Sequence, residues 1–77
     1  MNITEMKDGE VGVISSMSGG FSFMQKLQNM GILIGKEVKK ISGFPFNGPV
    51  VLEVNGARYT IGHGMAVRMF VNNGPVV

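Results

Sequence analysis

Leu27-Gln28-Asn29-Met30-Gly31-Ile32-Leu33-Ile34-Gly35-Lys36-Glu37-Val38 is the stretch in which a helix gives way to a strand, with two glycines marking the passage. Upstream of it Phe23, Met24, Leu27 and Met30 recur at helical spacing, which puts them on one side of an α-helix over Phe21 to Met30. Gly31, just past that periodic run, is the expected helix stop. Glycine takes the left-handed conformation without a Cβ penalty, so a positive φ is predicted there. Ile32, Leu33 and Ile34 are too few for a helix between two glycines and read as an apolar plug. Gly35 permits a second reversal, and a strand leaves over Lys36 to Ser42. A ten-residue helix is marginal alone, so packing must hold this one.

Working towards the N-terminus, Glu10 to Ser15 reads as a strand with Val11 and Val13 on one face. Gly12 signals a bulge or a close backbone approach. Before it, Thr4 to Gly9 is a capped turn with Ile3 and Met6 inward. Ser16 to Gly20 is a loop in which Ser18 or a neighbouring serine caps the helix. Towards the C-terminus, Gly43 to Pro49 is a loop carrying two prolines and two phenylalanines, and Val50 to Val54 is the third strand. Asn55-Gly56 is the strongest short hairpin signal, because both central residues of a type I′ turn need positive φ. Ala57 to Ile61 returns, with Tyr59 and Ile61 opposite Arg58 and Thr60. Gly62 to Ala66 reads as a turn, and Val67 to Val71 as a fifth strand alternating Val67, Met69 and Val71 against Arg68 and Phe70. The tail from Asn72 to Val77 reads as loose. Five short strands with one helix inserted after the first predict a mainly β fold, a small and strongly bent antiparallel barrel, in a single domain over residues 1–77.

Composition narrows the chemistry. The 77 residues include no cysteine, no tryptophan, one histidine and seven methionines, with a formal net charge of +2. Disulfides, thiolate metal sites and cysteine nucleophiles are therefore excluded. Met24, Met30 and Met69 sit in apolar patterns and read as core filler rather than soft-metal ligands. No apolar run approaches the roughly 18 residues of a membrane span, and the first eight residues are mixed and charged, so a cytoplasmic protein with no direct membrane insertion is expected. His63 has no second histidine, and the five carboxylates fall singly, without an acid–base pair at readable spacing. The glycines are not followed by Gly-Lys-Ser/Thr, which removes a phosphate-loop reading. The expectation is a non-enzyme without cofactor and without a tight transition-metal site.

Two binding readings remain open. Lys36, Lys39 and Lys40 beside Phe44 and Phe46 form a basic stretch with aromatics, as in small barrels that bind nucleic acid, although Glu37 interrupts it. Alternatively, Phe44-Pro45-Phe46 is an apolar loop that docks on a partner protein.

Leu27 with Met30-Gly31-Ile32, then Gly35-Lys36-Glu37-Val38, then Pro45-Phe46-x-Gly48-Pro49-Val50, resembles the FeoA family. So does the ending Ala66-x-x-Met69-x-Val71 after a strand-turn-strand with Gly56. The resemblance runs from Ile3 to Val71, in the family's order and spacing. It implies an SH3-like barrel and an accessory role in bacterial ferrous-iron uptake, beside the membrane permease FeoB with its cytosolic GTPase domain. It also implies iron transport and, by association, transition-metal binding, and it brings no catalytic residues. A similar barrel ends iron-dependent repressors of the DtxR type, whose other domains have no room here. Gln25-Lys26 stands where the family has arginines, and Gly62-His63-Gly64 replaces a charged turn.

If the barrel's inward alternation is spent on Val38, Leu52, Val54, Tyr59, Ile61 and Val67, the plug and the aromatic loop remain. Ile32 and Phe46 are expected to turn inward. Leu33 and Phe44 are then expected to contribute to one docking face, for a FeoB-type GTPase or for another copy of the chain. Gln25 and Lys26 on the helix are the alternative face.

Overall fold

The computed structural model describes residues 1–73. Its elements are a 3₁₀ turn Ile3–Glu5, β1 Val11–Met17, α1 Phe21–Asn29, β2 Glu37–Gly43, β3 Val50–Val54, β4 Ala57–Ile61, α2 His63–Ala66 and β5 Met69–Asn73. All strand pairs are antiparallel in one sheet of order β4-β3-β2-β1-β5. The expected mainly β, SH3-like architecture with a helix after the first strand is the one observed.

The hand-over from α1 to β2 follows its sequence signals closely. Met30 is the helix C-cap, and Gly31 has φ +79°. The Ile32 N–H donates to Leu27 O at 2.9 Å and the Gly31 N–H to Gln28 O at 3.0 Å, the paired bonds of a Schellman stop. The motif's apolar contact joins Leu27 and Ile32, both fully buried in the core. Burying a leucine this completely is worth about 2–3 kcal/mol, more than α1 gains from its own short ladder. At Gly35, φ +92°, the Lys36 N–H donates to Leu33 O and turns the chain into β2. Ile34, at the outer corner of this turn, faces solvent, as does part of Leu33.

Two β-bulges curl the sheet, one between Ile14 and Ser16 against β5 and one between Lys40 and Ser42 against β3. Gly12 is not the bulge but a close approach. A Cβ there would stand 3.0 Å from Asn72 O and 3.1 Å from Val71 Cβ. The core gathers Ile3, Met6, Ile14, Val38, Leu52, Val54, Ile61, Ala66, Met69 and Val71 around Leu27 and Ile32. At the edge of β5 the N-terminus adds a rung, with the Val71 N–H donating to Met1 O at 2.8 Å.

Four expectations need correction. No serine caps α1: Gly20 is its N-cap without a side-chain bond, and the Ser18 N–H instead donates to Arg68 O at 2.8 Å, extending the β1–β5 pairing. The turn over Gly62 to Ala66 is a single-turn helix that carries Ala66 into the core. That turn leaves Val67 in helical geometry, half-buried, so β5 starts at Met69 and not at Val67. Asn72 and Asn73 belong to β5 rather than to a loose tail, whose remaining residues, 74–77, lie outside the described residues.

Candidate functional site

The segment between β2 and β3, read from the sequence as a loop, is the tip of a hairpin. Pairing runs Ser42–Val51 and Gly43–Val50, and continues with the Phe44 N–H donating to Pro49 O at 3.1 Å. The Gly48 N–H then donates to Pro45 O at 3.2 Å, closing a two-residue turn. Phe46 and Asn47 are its central residues, with φ +58° and +59°. Both positive values are what a type I′ turn requires. Gly48 is needed on steric grounds: a Cβ there would lie 2.8 Å from Phe44 Cβ.

Phe46 is thus held at a tip, 98% exposed, and Phe44 behind it is 58% exposed. The expectation that Phe46 turns inward is wrong. The turn projects its central residues past the last rung of the ladder, beyond reach of the core. A non-glycine residue in the left-handed region costs about 1–2 kcal/mol, and full exposure returns none of it through burial. Phe46 is both strained and unburied.

Under this tip lies the end of Lys40. Lys40 is only 6% exposed, and its ammonium donates to Met6 O at 2.6 Å and Thr4 O at 3.1 Å, tying the 3₁₀ turn to β2. The proposed basic stretch therefore loses one of its three lysines to the interior. Of the others, Lys39 is exposed, while half-buried Lys36 donates to Asn55 Oδ1 at 3.4 Å. A shallow groove of about 430 Å³ beside them is lined by Lys36 and Lys39 but also by Glu37 and Glu53, so its charges offset one another.

Leu33 and Phe44 are both exposed, but the structure does not bring them together. They flank β2 at its two ends, and seven residues of strand span roughly 20 Å. Leu33 and Ile34 belong to the end that holds Gly31, Lys36 and Asn55; Phe44 and Phe46 belong to the other. Gln25 and Lys26 lie on the solvent face of α1, where Gln25 Nε2 donates to Asn29 Oδ1 at 3.4 Å. The sequence reading also passed over Phe21, 82% exposed at the start of α1; it stands off the arc of Phe23, Met24, Leu27 and Met30, which was the available signal. His63 is half-buried on α2, facing the space below Phe44. Among the described residues, no three His, Asp or Glu side chains gather as a metal site, and no helix is long and apolar enough to cross a membrane.

The model of the FeoA domain matches residues 1–73. The chain belongs to the FeoA family. A protein of Methanocaldococcus jannaschii, provisionally named Fe(2+) transport protein A, is 36% identical over 67 residues, covering 87% of this chain and 79% of that one. The crystal structure of an iron uptake regulatory protein, FeoA, superposes with a TM-score of 0.83 at 32% identity, covering 94% of this chain and 93% of that one. The manganese-activated repressor ScaR in its apo form matches with a TM-score of 0.85 at 19% identity, over 95% of this chain and 35% of the repressor. That likeness shows the fold alone. About a third of that repressor chain thus shares the fold of this FeoA-family chain.

Proposed function

We propose that this FeoA-family chain is a non-enzymatic accessory protein of ferrous-iron transport that acts by binding a FeoB-type membrane GTPase, with the Phe44–Phe46 hairpin tip as its principal contact. The observation that carries the reading is Phe46 itself: an aromatic side chain almost wholly in water, kept in a backbone conformation that disfavours it. Strain retained at an exposed position points to a use outside the fold. The tip is also pre-ordered by the Phe44–Pro49 and Pro45–Gly48 bonds, so docking it loses little further entropy. The family and the names of its members supply the iron-transport context.

The partner face as first expected joined Leu33 with Phe44. Because β2 separates them, the main contact is the aromatic tip, and Leu33 and Ile34 belong to a second, independent surface. Nucleic-acid binding gains nothing from the geometry, since Lys40 is buried and acidic side chains border Lys36 and Lys39. The test is co-purification with the cytosolic GTPase domain of FeoB, using Phe44→Ser, Phe46→Ser and Leu33→Ser. Loss of capture with the two phenylalanine variants alone supports the reading. Capture unchanged by either, with both variants folded, contradicts it.

A further inference from the structure

Lys40 presents a problem that the docking reading leaves unsolved. A buried ammonium costs several kcal/mol unless it is compensated by a counter-charge. Among the described residues the ion pair present joins Arg58 and Glu53 at 3.6 Å, with no carboxylate at Lys40. Two carbonyl oxygens, of Thr4 and Met6, accept from it. An ammonium has three donors, so one remains.

That end of Lys40 borders an open pocket of about 230 Å³, lined also by Thr4, Gly43, Phe44, Asn47 and His63. None of its lining residues is acidic. Asn47 brings amide N–H donors and His63 a ring N–H, whereas the Thr4 hydroxyl is already spent donating to Asn2 Oδ1. Gly43 keeps the ammonium open to the pocket: a Cβ there would sit 3.4 Å from Lys40 Nζ and 3.2 Å from its Cε. A water occupies about 30 Å³ in the liquid, so the space suits one small anion with a few waters, and it falls below the roughly 300 Å³ of an ordinary organic-ligand pocket.

We propose that this pocket is an oxyanion site, in which a carboxylate or phosphate group accepts from Lys40 Nζ and from the donors of Asn47 and His63. The anion completes the compensation of the buried lysine. Its carrier is a free oxyanion or an acidic group on a larger molecule, and the chemistry at Nζ is the same for both. The site does not depend on FeoB docking and stands if that reading fails.

The experiment is an amide and imidazole NMR titration of the protein with sodium phosphate and, separately, sodium acetate, each against sodium chloride at matched ionic strength and pH. Saturable shifts concentrated on Gly43, Asn47, Gly48 and His63 are expected. Stronger binding of phosphate assigns a phosphate group, and stronger binding of acetate a carboxylate. Lys40→Met should weaken binding at least tenfold, and Lys39→Ala should leave it unchanged. Because Lys40→Met also removes two tertiary bonds, Gly43→Ala serves as the folded variant; its Cβ presses on Lys40 Cε and comes into contact with Nζ, and it should weaken binding several-fold. Shifts no different from those in chloride, or saturable shifts indifferent to both Lys40→Met and Gly43→Ala, overturn the proposal.

Discussion

Two hairpin tips of this protein share one backbone geometry and differ in what occupies it. At the β3–β4 tip Asn55 and Gly56 have φ +53° and +81°; at the β2–β3 tip Phe46 and Asn47 have +58° and +59°. The first pair is what the geometry favours, since asparagine tolerates and glycine prefers positive φ. The second puts a bulky aromatic where L-residues are disfavoured. Their surroundings differ too. Asn55 is engaged, accepting from Lys36 Nζ and standing near Gly31, whereas the Phe46 ring meets water. One tip is composed for folding. The other carries a residue that folding does not reward, and that contrast is the ground for placing the partner contact there.

The largest expected effect is on binding. If the aromatic tip is the anchor, Phe44→Ser should weaken association with the FeoB cytosolic domain by about 30-fold, the 2 kcal/mol of an interface hot spot. Asn55→Ser, at the other tip, should leave association unchanged. Titration calorimetry compares the two directly.

Exchanging the occupants should move stability in opposite directions at the two tips. Asn55→Phe should destabilise by about 1–2 kcal/mol, read as a lower denaturation midpoint. Phe46→Asn should stabilise by about 1 kcal/mol, a rise in Tm of roughly 4–8 °C for a domain of this size. If Phe46→Asn instead destabilises, the ring makes a folding contribution that its exposure conceals.

A smaller effect isolates backbone conformation from packing. Gly56→Ala meets nothing within 4 Å yet sits at φ +81°, so its cost of about 1 kcal/mol should be conformational alone. Chemical denaturation should show it with an unchanged m-value.

The smallest effect concerns the lysines. With Lys40 interior and Lys39 facing outward, oligonucleotide binding should be negligible at moderate salt, and Lys39→Ala should barely alter what survives at low salt. Fluorescence anisotropy at two salt concentrations checks this.

The contrast between the tips also explains what could be read from the chain. The helix stop at Gly31, the strands Val50–Val54 and Ala57–Ile61 and the Asn55-Gly56 turn were legible because local preference and tertiary structure agree there. The Phe46-Asn47 turn was not, because its local preference opposes the conformation adopted. Lys40 was misread for a different reason. Period two places it on the face of Val38, and Lys39 on that of Glu37, but treating the lysines as one run hid the alternation. The separation of Leu33 from Phe44 was likewise implicit in their bracketing a seven-residue strand. α2 left little signal, since a single helical turn between glycines resembles any tight turn.

On the reading proposed above, the strained tip is maintained for a partner. The most direct test is Phe46→Asn, measured for Tm and for affinity to the FeoB cytosolic domain in the same preparation. Tm should rise by several degrees while affinity falls by about 30-fold, a gain in fold stability opposed by a loss of binding. A variant that is more stable and binds as tightly as the parent would contradict that reading.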